Sequence, residues 1–546
     1  MSLLKPLTGL LLALAASAAS AQPGDLLIWG GPIYTGANPG TVGAVAVRSG
    51  RVVFVGTRTA AKRAVGPDAQ VVDLKGAALF PGFTDSHAHL RGLGERELSL
   101  NLEGSKSAAE ATTRVRVYLA DRKPKGPVFG RGWIETGWPE GRFLERQDID
   151  PIAPEQPVLL TRADGHALVA NSAALRAAGI TETTIAPDGG AILKDASGKL
   201  TGVLVDNAMA LVAKLRTRPT EADRREAFAA AFKVETAYGW TGVHSMSVAW
   251  PDVDLLETLD AEGKVPLRVY NAVDADQAGP LFASGPRASK TGRITTRAIK
   301  LYEDGALGSR GAALFEPYSD EPATTGLVRT PPERMRSAMA SAKAAGIQVA
   351  THAIGDRGNA NVLDLYSEQV VTGLRWRIEH SQIVRPADIP RFAKLGVIAS
   401  MQPSHAIGDL HFAPARLGEA RLAGAYAWKD MLDARVVVVG GSDSPVERGD
   451  PLIEFYAAVA RKDLAGFSAP DWHPEQKLSR AEALRLFTSA AAYARFAEKD
   501  LGTIEVGKIA DLTAFSVDLM TAPEAAIPKG HAVLTVVDGK VVYRRL

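Results

Sequence analysis

Apolar and polar positions change rhythm three times along the chain. From Asp25 to about Leu79 they form short β-branched runs broken by glycine, "DLLIWGGPIYTG", "AVAVRSGRVVFVG" and "QVVDLKGAALF". Such runs read as strands, with Ser49-Gly50 as a hairpin turn. The far end repeats this texture in "DLTAFSV" and "AVLTVVDGKVVYRRL", with Asp538-Gly539 as a second turn. Either β segment alone would be a marginal sheet. Residues 22–80 and 497–546 are therefore expected to pair into one composite β-sandwich.

The middle, residues 81–496, alternates apolar strands with amphipathic helices. The strands are "AALFPGFTD", "GWTGVHSM", "PLRVYNAV", "RAIKLYEDG", "IQVATHAIG", "RWRIEHSQI", "GVIASMQP" and "RVVVVGGSD". Helical patterns lie between most of them, as at Pro332–Ala345, Asn359–Thr372 and Pro386–Leu395. Eight strands alternating with helices predict an α/β fold, a (β/α)8 TIM barrel. The interval after the first strand far exceeds an ordinary βα connection. It predicts an inserted α+β subdomain over about residues 95–235.

Residues 1–21 stand apart from this fold. Lys5, the apolar run Leu7–Ala16 and Ala19-Ser20-Ala21 have the order of a cleaved signal peptide. The expected location is periplasmic or secreted. No later run reaches the roughly 18 apolar residues of a membrane span. The net charge of +2 and the absence of a basic block argue against nucleic acid. With no cysteine, thiolate chemistry is excluded and any metal must be held by nitrogen and oxygen. The expected partner is a small-molecule substrate, with no membrane after signal cleavage and a homodimer left open.

The candidate chemistry sits at strand ends, where barrel active sites form. His87 and His89 fall at i and i+2 on an extended segment, so both imidazoles can reach one ion. His352 and His380 each end an apolar strand. Together the four imidazoles suit zinc or a similar divalent metal. Lys300 ends another apolar strand. Its amine either snorkels or pairs with Glu303 or Asp304, or is neutralised by a lowered pKa or conversion to a carbamate. Asp443 caps the last strand, as a metal-site acid or as an N-cap or turn residue. His166, Trp133 and Arg310 are candidate substrate contacts, and His405 is a weaker candidate.

"PGFTDSHAHL", "KLYEDGALGSRGAAL", "THAIGDRGNANVLD", "RIEHSQIV", "SMQPSHA" and "GSDSPVE" together resemble the amidohydrolase superfamily. More narrowly these motifs resemble its YtcJ-like branch, which includes N-substituted formamide deformylases; the tail "LGTIEVGKIADLTAFSVDL" and the insert segments "GRGWIETGWPE" and "RADGHALVANSAAL" are also typical of the superfamily. The resemblance implies a metal-dependent hydrolase of C–N bonds with one or two divalent ions, two favoured. It matches His87, His89, His352 and His380 to metal ligands and Lys300 to a bridging, carbamylated lysine. Asp443 matches a ligand that is also the general acid/base. Many relatives carry His-Asp where this chain has His244-Ser245, so His244 is read as structural. Alternatives are an esterase, lactonase or deaminase on the same site, or a non-catalytic periplasmic binding protein.

Overall fold

The computed structural model describes residues 25–546 apart from 39, 136–137, 163–166, 188–189, 217, 370–372 and 470–471. The expected signal segment 1–21 lies outside the described residues. Eight parallel strands follow one another around the central barrel in chain order. They are Phe83–Ala88, Trp240–Val248, Arg268–Asp274, Ile294–Tyr302, Gln348–Ala353, Arg377–His380, Ile398–Met401 and Val438–Gly440. Helices including Pro332–Ala344, Asp356–Gln369 and Ile389–Leu395 cover the outside, where the amphipathic patterns place them. No helix of the described residues is long and apolar enough to cross a membrane.

The ring closes beyond the end of the eighth strand. Ala88 bridges Ser444 in parallel, Asp443 N donates to His87 O at 2.7 Å, and His89 N donates to Ser444 O at 2.7 Å. Asp85 fastens the same place, accepting from Ser442 N at 2.9 Å and Ser442 Oγ at 2.5 Å. Gly441 is required there, because a Cβ would lie 2.5 Å from His87 N.

The two chain ends pair as their β texture requires. Strands Leu26–Tyr34, Thr41–Arg48, Arg51–Gly56, Gln70–Asp73 and Ala78–Pro81 join Leu512–Phe515, Ala532–Val537 and Lys540–Arg544 in one eight-stranded sheet. Leu26, Ile28, Val45, Leu512 and Val536 share a core, so neither end folds around its own. Both hairpins have left-handed central residues, Ser49 and Gly50 at φ 49° and 80°, Asp538 and Gly539 at 51° and 70°. That backbone matches the twist of the flanking strands. The sheet docks on the barrel base, where buried Arg268 donates to Asp511 Oδ2 at 2.6 Å and pairs with Asp538.

Between the first and second barrel strands a six-stranded sheet forms, running from Gly190–Lys194 at one edge to Leu100–Asn101 at the other. Its core holds Trp133, Trp138, Leu144 and Val158.

Candidate metal centre

His87 is the penultimate residue of a strand whose six residues are all buried, and His89 follows that strand with a part-exposed ring. Each ring is fixed from behind. His87 Nδ1 donates to Glu379 Oε2 at 2.5 Å and His89 Nδ1 to Met246 O at 3.2 Å. With the proton on Nδ1, each Nε2 carries a bare lone pair. Those lone pairs confront Asp443 Oδ1 at 3.5 Å and 3.3 Å. Lone pairs facing lone pairs across a buried gap call for a cation between them.

The next ligand candidates stand level with one another because adjacent strands pair Tyr302 with His352 and Ala353 with His380. His352 Nδ1 donates to Asp304 Oδ1 at 3.0 Å, and His380 Nδ1 donates to Gln402 Oε1 at 2.8 Å. The ring centroids of His352 and His380 are 4.6 Å apart, and those of His87 and His380 4.8 Å. His380, Ser381 and Asp443 adopt left-handed backbone at φ 73°, 41° and 57°. Such strain is retained where the surroundings fix it, typically at functional sites. Here it turns the side chains off the strand axis and toward the mouth.

Protonation suits the same purpose. Burial, reinforced by the nearby Lys300 ammonium, pulls the His87 imidazole down to about 3. Burial likewise holds His380 well below the ordinary imidazole range. Both are neutral ligands at neutral pH.

Lys300 is 2% exposed, and its Nζ lies 3.4 Å from His87 Nε2. The expected alternative of pairing with Glu303 or Asp304 does not occur: Glu303 accepts from Asn361, while Asp304 holds His352 and the backbone at Ala313, Ile354 and Gly355. Among the described residues Lys300 has no carboxylate ion pair. Burial lowers its ammonium to about 8, so an appreciable fraction is free amine near neutral pH.

Two sets of ligand atoms lie within 4.8 Å of one another, His87, His89 and Asp443 in one, His380, His405 and Asp443 in the other. Asp443 Oδ1 and His405 Nε2 are buried without hydrogen-bond partners. An all-nitrogen-and-oxygen donor set with orphaned lone pairs fits a divalent metal. His405, read as the weaker candidate, thus belongs to the cluster, its Nε2 3.6 Å from Asp443 Oδ2. Sequence reasoning also missed Glu379, Asp304 and Gln402, the acceptors behind the imidazoles.

The expected substrate contacts fare differently. Trp133 is fully buried in the insert, with Nε1 donating to Leu160 O at 2.8 Å and Trp138 and Phe143 around it. Its position is that of a packed core side chain, not a pocket wall. Arg310 is held by Asp320 at 3.0 Å, an acid shared with Arg416, so its charge is already matched. His166 lies outside the described residues. His244 is buried, accepts from Arg377 at 3.0 Å and packs on Tyr270, in keeping with a structural role. A different guanidinium, Arg329, lies 4.8 Å over the Tyr302 ring and has no ion pair among the described residues. Tyr302 in turn packs beside His352 at 5.8 Å.

Comparison with known proteins bears on the whole arrangement. Residues 70–543 match the family described as "Amidohydrolase family". The chain is 35% identical to "Putative amidohydrolase YtcJ" of Bacillus subtilis (strain 168), covering 95% of this chain and 99% of that one. It is 29% identical to the N-substituted formamide deformylase of Arthrobacter pascens over 92% of this chain and 95% of the relative. A crystal structure of a metal-dependent hydrolase from Pyrococcus horikoshii OT3 superposes with a TM-score of 0.77 at 29% identity, covering 92% and 99% of the two chains.

Proposed function

This chain belongs to the amidohydrolase family, and from that premise we propose that it is an exported enzyme hydrolysing an amide, formamide or cyclic amide, with Asp443 as general acid/base. The family match, the N-substituted formamide deformylase relative and the metal-dependent hydrolase structure support a metal-dependent hydrolase acting on C–N bonds. The observation that supports the finer reading is that the Nε2 atoms of His87 and His89 both face Asp443 Oδ1, a buried oxygen without a hydrogen-bond partner.

His87, His89 and Asp443 would hold one ion, and His352, His380 and a carbamylated Lys300 a second, with Lys300 between them. Zinc is the favoured metal for this borderline-soft imidazole set. Bound there, a divalent metal supplies a water acidic enough to be hydroxide near neutral pH and polarises the scissile carbonyl. The protein's own groups do the rest. With Oδ1 turned to the ion, the other oxygen of Asp443, Oδ2, would take the proton of the attacking water. It then returns that proton to the leaving nitrogen, which departs poorly as an anion. Glu379 keeps the His87 proton on Nδ1, and Asp304 does the same for His352.

The neutral Lys300 amine would add CO2 through a new N–C bond with loss of one proton to give a carbamate anion; counted from the ammonium, two protons leave and a buried cation becomes a carboxylate. Arg329, beside Tyr302, is placed to receive an anionic group of the substrate. Export through residues 1–21 completes the reading; secreted protein whose sequence starts at or near Gln22 supports it, and an intact Met1 refutes it.

The test is a panel of N-substituted formamides, N-acyl amino acids, cyclic amides and matched esters and lactones, run with metal-loaded protein. Hydrolysis of a C–N substrate is the expected result, and turnover confined to esters or deamination would overturn it. Asp443→Asn should keep most of the metal while kcat falls by about 10²–10⁴.

A further inference from the structure

At the other end of the barrel from the histidines lies a second polar cavity of about 870 Å³, enclosed by the barrel base, the Ser49-Gly50 turn and the segment after Arg495. Six cations line it, Arg51, Arg268, Arg293, Arg297, Arg495 and Lys540, against three acids, Asp260, Asp500 and Asp538. Each acid has a partner, although Asp260 Oδ1 is buried without one. Asp538 is shared by Arg268 and Arg293, Asp500 pairs with Arg51 at 3.0 Å, and Asp260 accepts from Thr291 at 2.6 Å.

That leaves two guanidiniums with no acceptor among the described residues. Arg495 is 6% exposed, and its Nη1 is buried without a partner. Arg297 has its Nε buried and unpaired, its guanidinium fixed 3.7 Å over the Phe496 ring. Burial pulls Arg495 down to about 10, which still leaves it cationic at neutral pH. The nearby Asp511 carboxylate acts on Arg495 but is hydrogen-bonded to Arg268, and a guanidinium buried this deeply without an acceptor of its own is a costly arrangement for a fold to keep.

We propose that this basal cavity is an anion-binding site, in which Arg297 and Arg495 hold a small multivalent oxyanion, a phosphate- or carboxylate-bearing molecule. The planar fork of each guanidinium matches two oxygens of such a group. Exposed Lys540, also without an ion pair among the described residues, supplies a third charge at the rim. The ligand would touch both the barrel and the β-sheet, so binding would strengthen their docking by mass action. It lies away from the metal centre and is independent of the hydrolytic reading.

Calorimetric titration of the metal-loaded full chain with inorganic phosphate, and separately with citrate, at constant ionic strength tests this. Saturable binding of one of them is expected, with a matching rise in Tm, and the arm that binds tells phosphate from carboxylate chemistry. Arg297→Ala should weaken that binding about tenfold or more, the loss of one charge-assisted contact. Arg495→Met should do the same, and half-buried Arg297 keeps the test decisive where Arg495→Met fails to fold. Absence of saturable binding of either anion overturns the proposal. So does binding unchanged by Arg297→Ala, which would place the anion elsewhere, for example at the metals.

Discussion

The two ends of the barrel bury charge in opposite senses. At the mouth, the atoms left without partners are lone pairs, on Asp443 Oδ1 and His405 Nε2. At the base they are N–H groups, on Arg297 and Arg495. Both ends mostly obey the rule that buried polar groups find partners, with exceptions of the other polarity at Gln402 Nε2 near the mouth and Asp260 Oδ1 near the base. The contrast between the orphaned acceptors that face one another at the mouth and the orphaned guanidiniums at the base is what the two proposals, a cation at one end and an anion at the other, rest on. The base also contains a fully matched network, Arg268 with Asp511 and Asp538, which shows what the same residue types do when their role is only to join two parts of the fold.

The largest effect expected on this contrast is at Lys300. If it bridges two ions as a carbamate, Lys300→Ala should lose one equivalent of metal and nearly all activity, and short carboxylic acids should partly restore both. Unchanged metal content in that variant would reduce Lys300 to an ordinary buried amine and remove the second ion from the mouth. A smaller but still large effect is expected at the matched part of the base. Arg268→Met leaves Asp511 and Asp538 without their shared cation, and chemical denaturation should show a loss of about 3–5 kcal/mol, with metal content unchanged. A loss of metal in that variant would mean that the two ends are coupled.

The smallest effect is a pH dependence at the base. Burial works against ionisation of Asp538, but the Arg268 and Arg293 guanidiniums outweigh it and hold the carboxyl below its ordinary range. A carboxyl depressed in the fold contributes stability above its unfolded pKa of about 3.9, and that contribution fades as pH falls through the lower folded value. The stability gap between wild type and Asp538→Asn should thus stay flat from neutral pH to about 5 and narrow below about 4. A gap that widens on acidification would show that the pairing is absent in solution.

Sequence pattern carried the barrel and its strand ends well, because apolar runs ending in His, Lys or Asp are rare enough to be informative. His87, His89, His380 and Asp443 could be placed at one mouth for that reason. The acceptors behind the imidazoles were harder to see. In "RIEH" simple alternation puts Arg377 and Glu379 on one face and His380 on the other. Only the left-handed turn at His380 brings it back to the same cavity, and local sequence does not announce that turn. Trp133 misled because a tryptophan packed inside the insert and one lining a pocket have the same apolar neighbours in sequence. Arg310 misled because its matching acid, Asp320, lies in the following loop and pairs with it only through the tertiary path of that loop. Nothing in sequence marks Arg329 as a guanidinium left without an ion pair among the described residues.

The seam that shuts the ring has a consequence for how the enzyme is made. Asp85 and Ser442, which fasten it, are 357 residues apart. A chain emerging N-terminus first presents His87 and His89 long before Asp443 exists, so for most of synthesis the histidine pair has no acid opposite it. Loop closure over so long a span costs only slightly more than over a short one, since the penalty grows as the logarithm of length. Ring completion and assembly of the ligand set are thus one late event. A nascent or truncated barrel would hold only part of the proposed ligand set, which is complete only with the last strand.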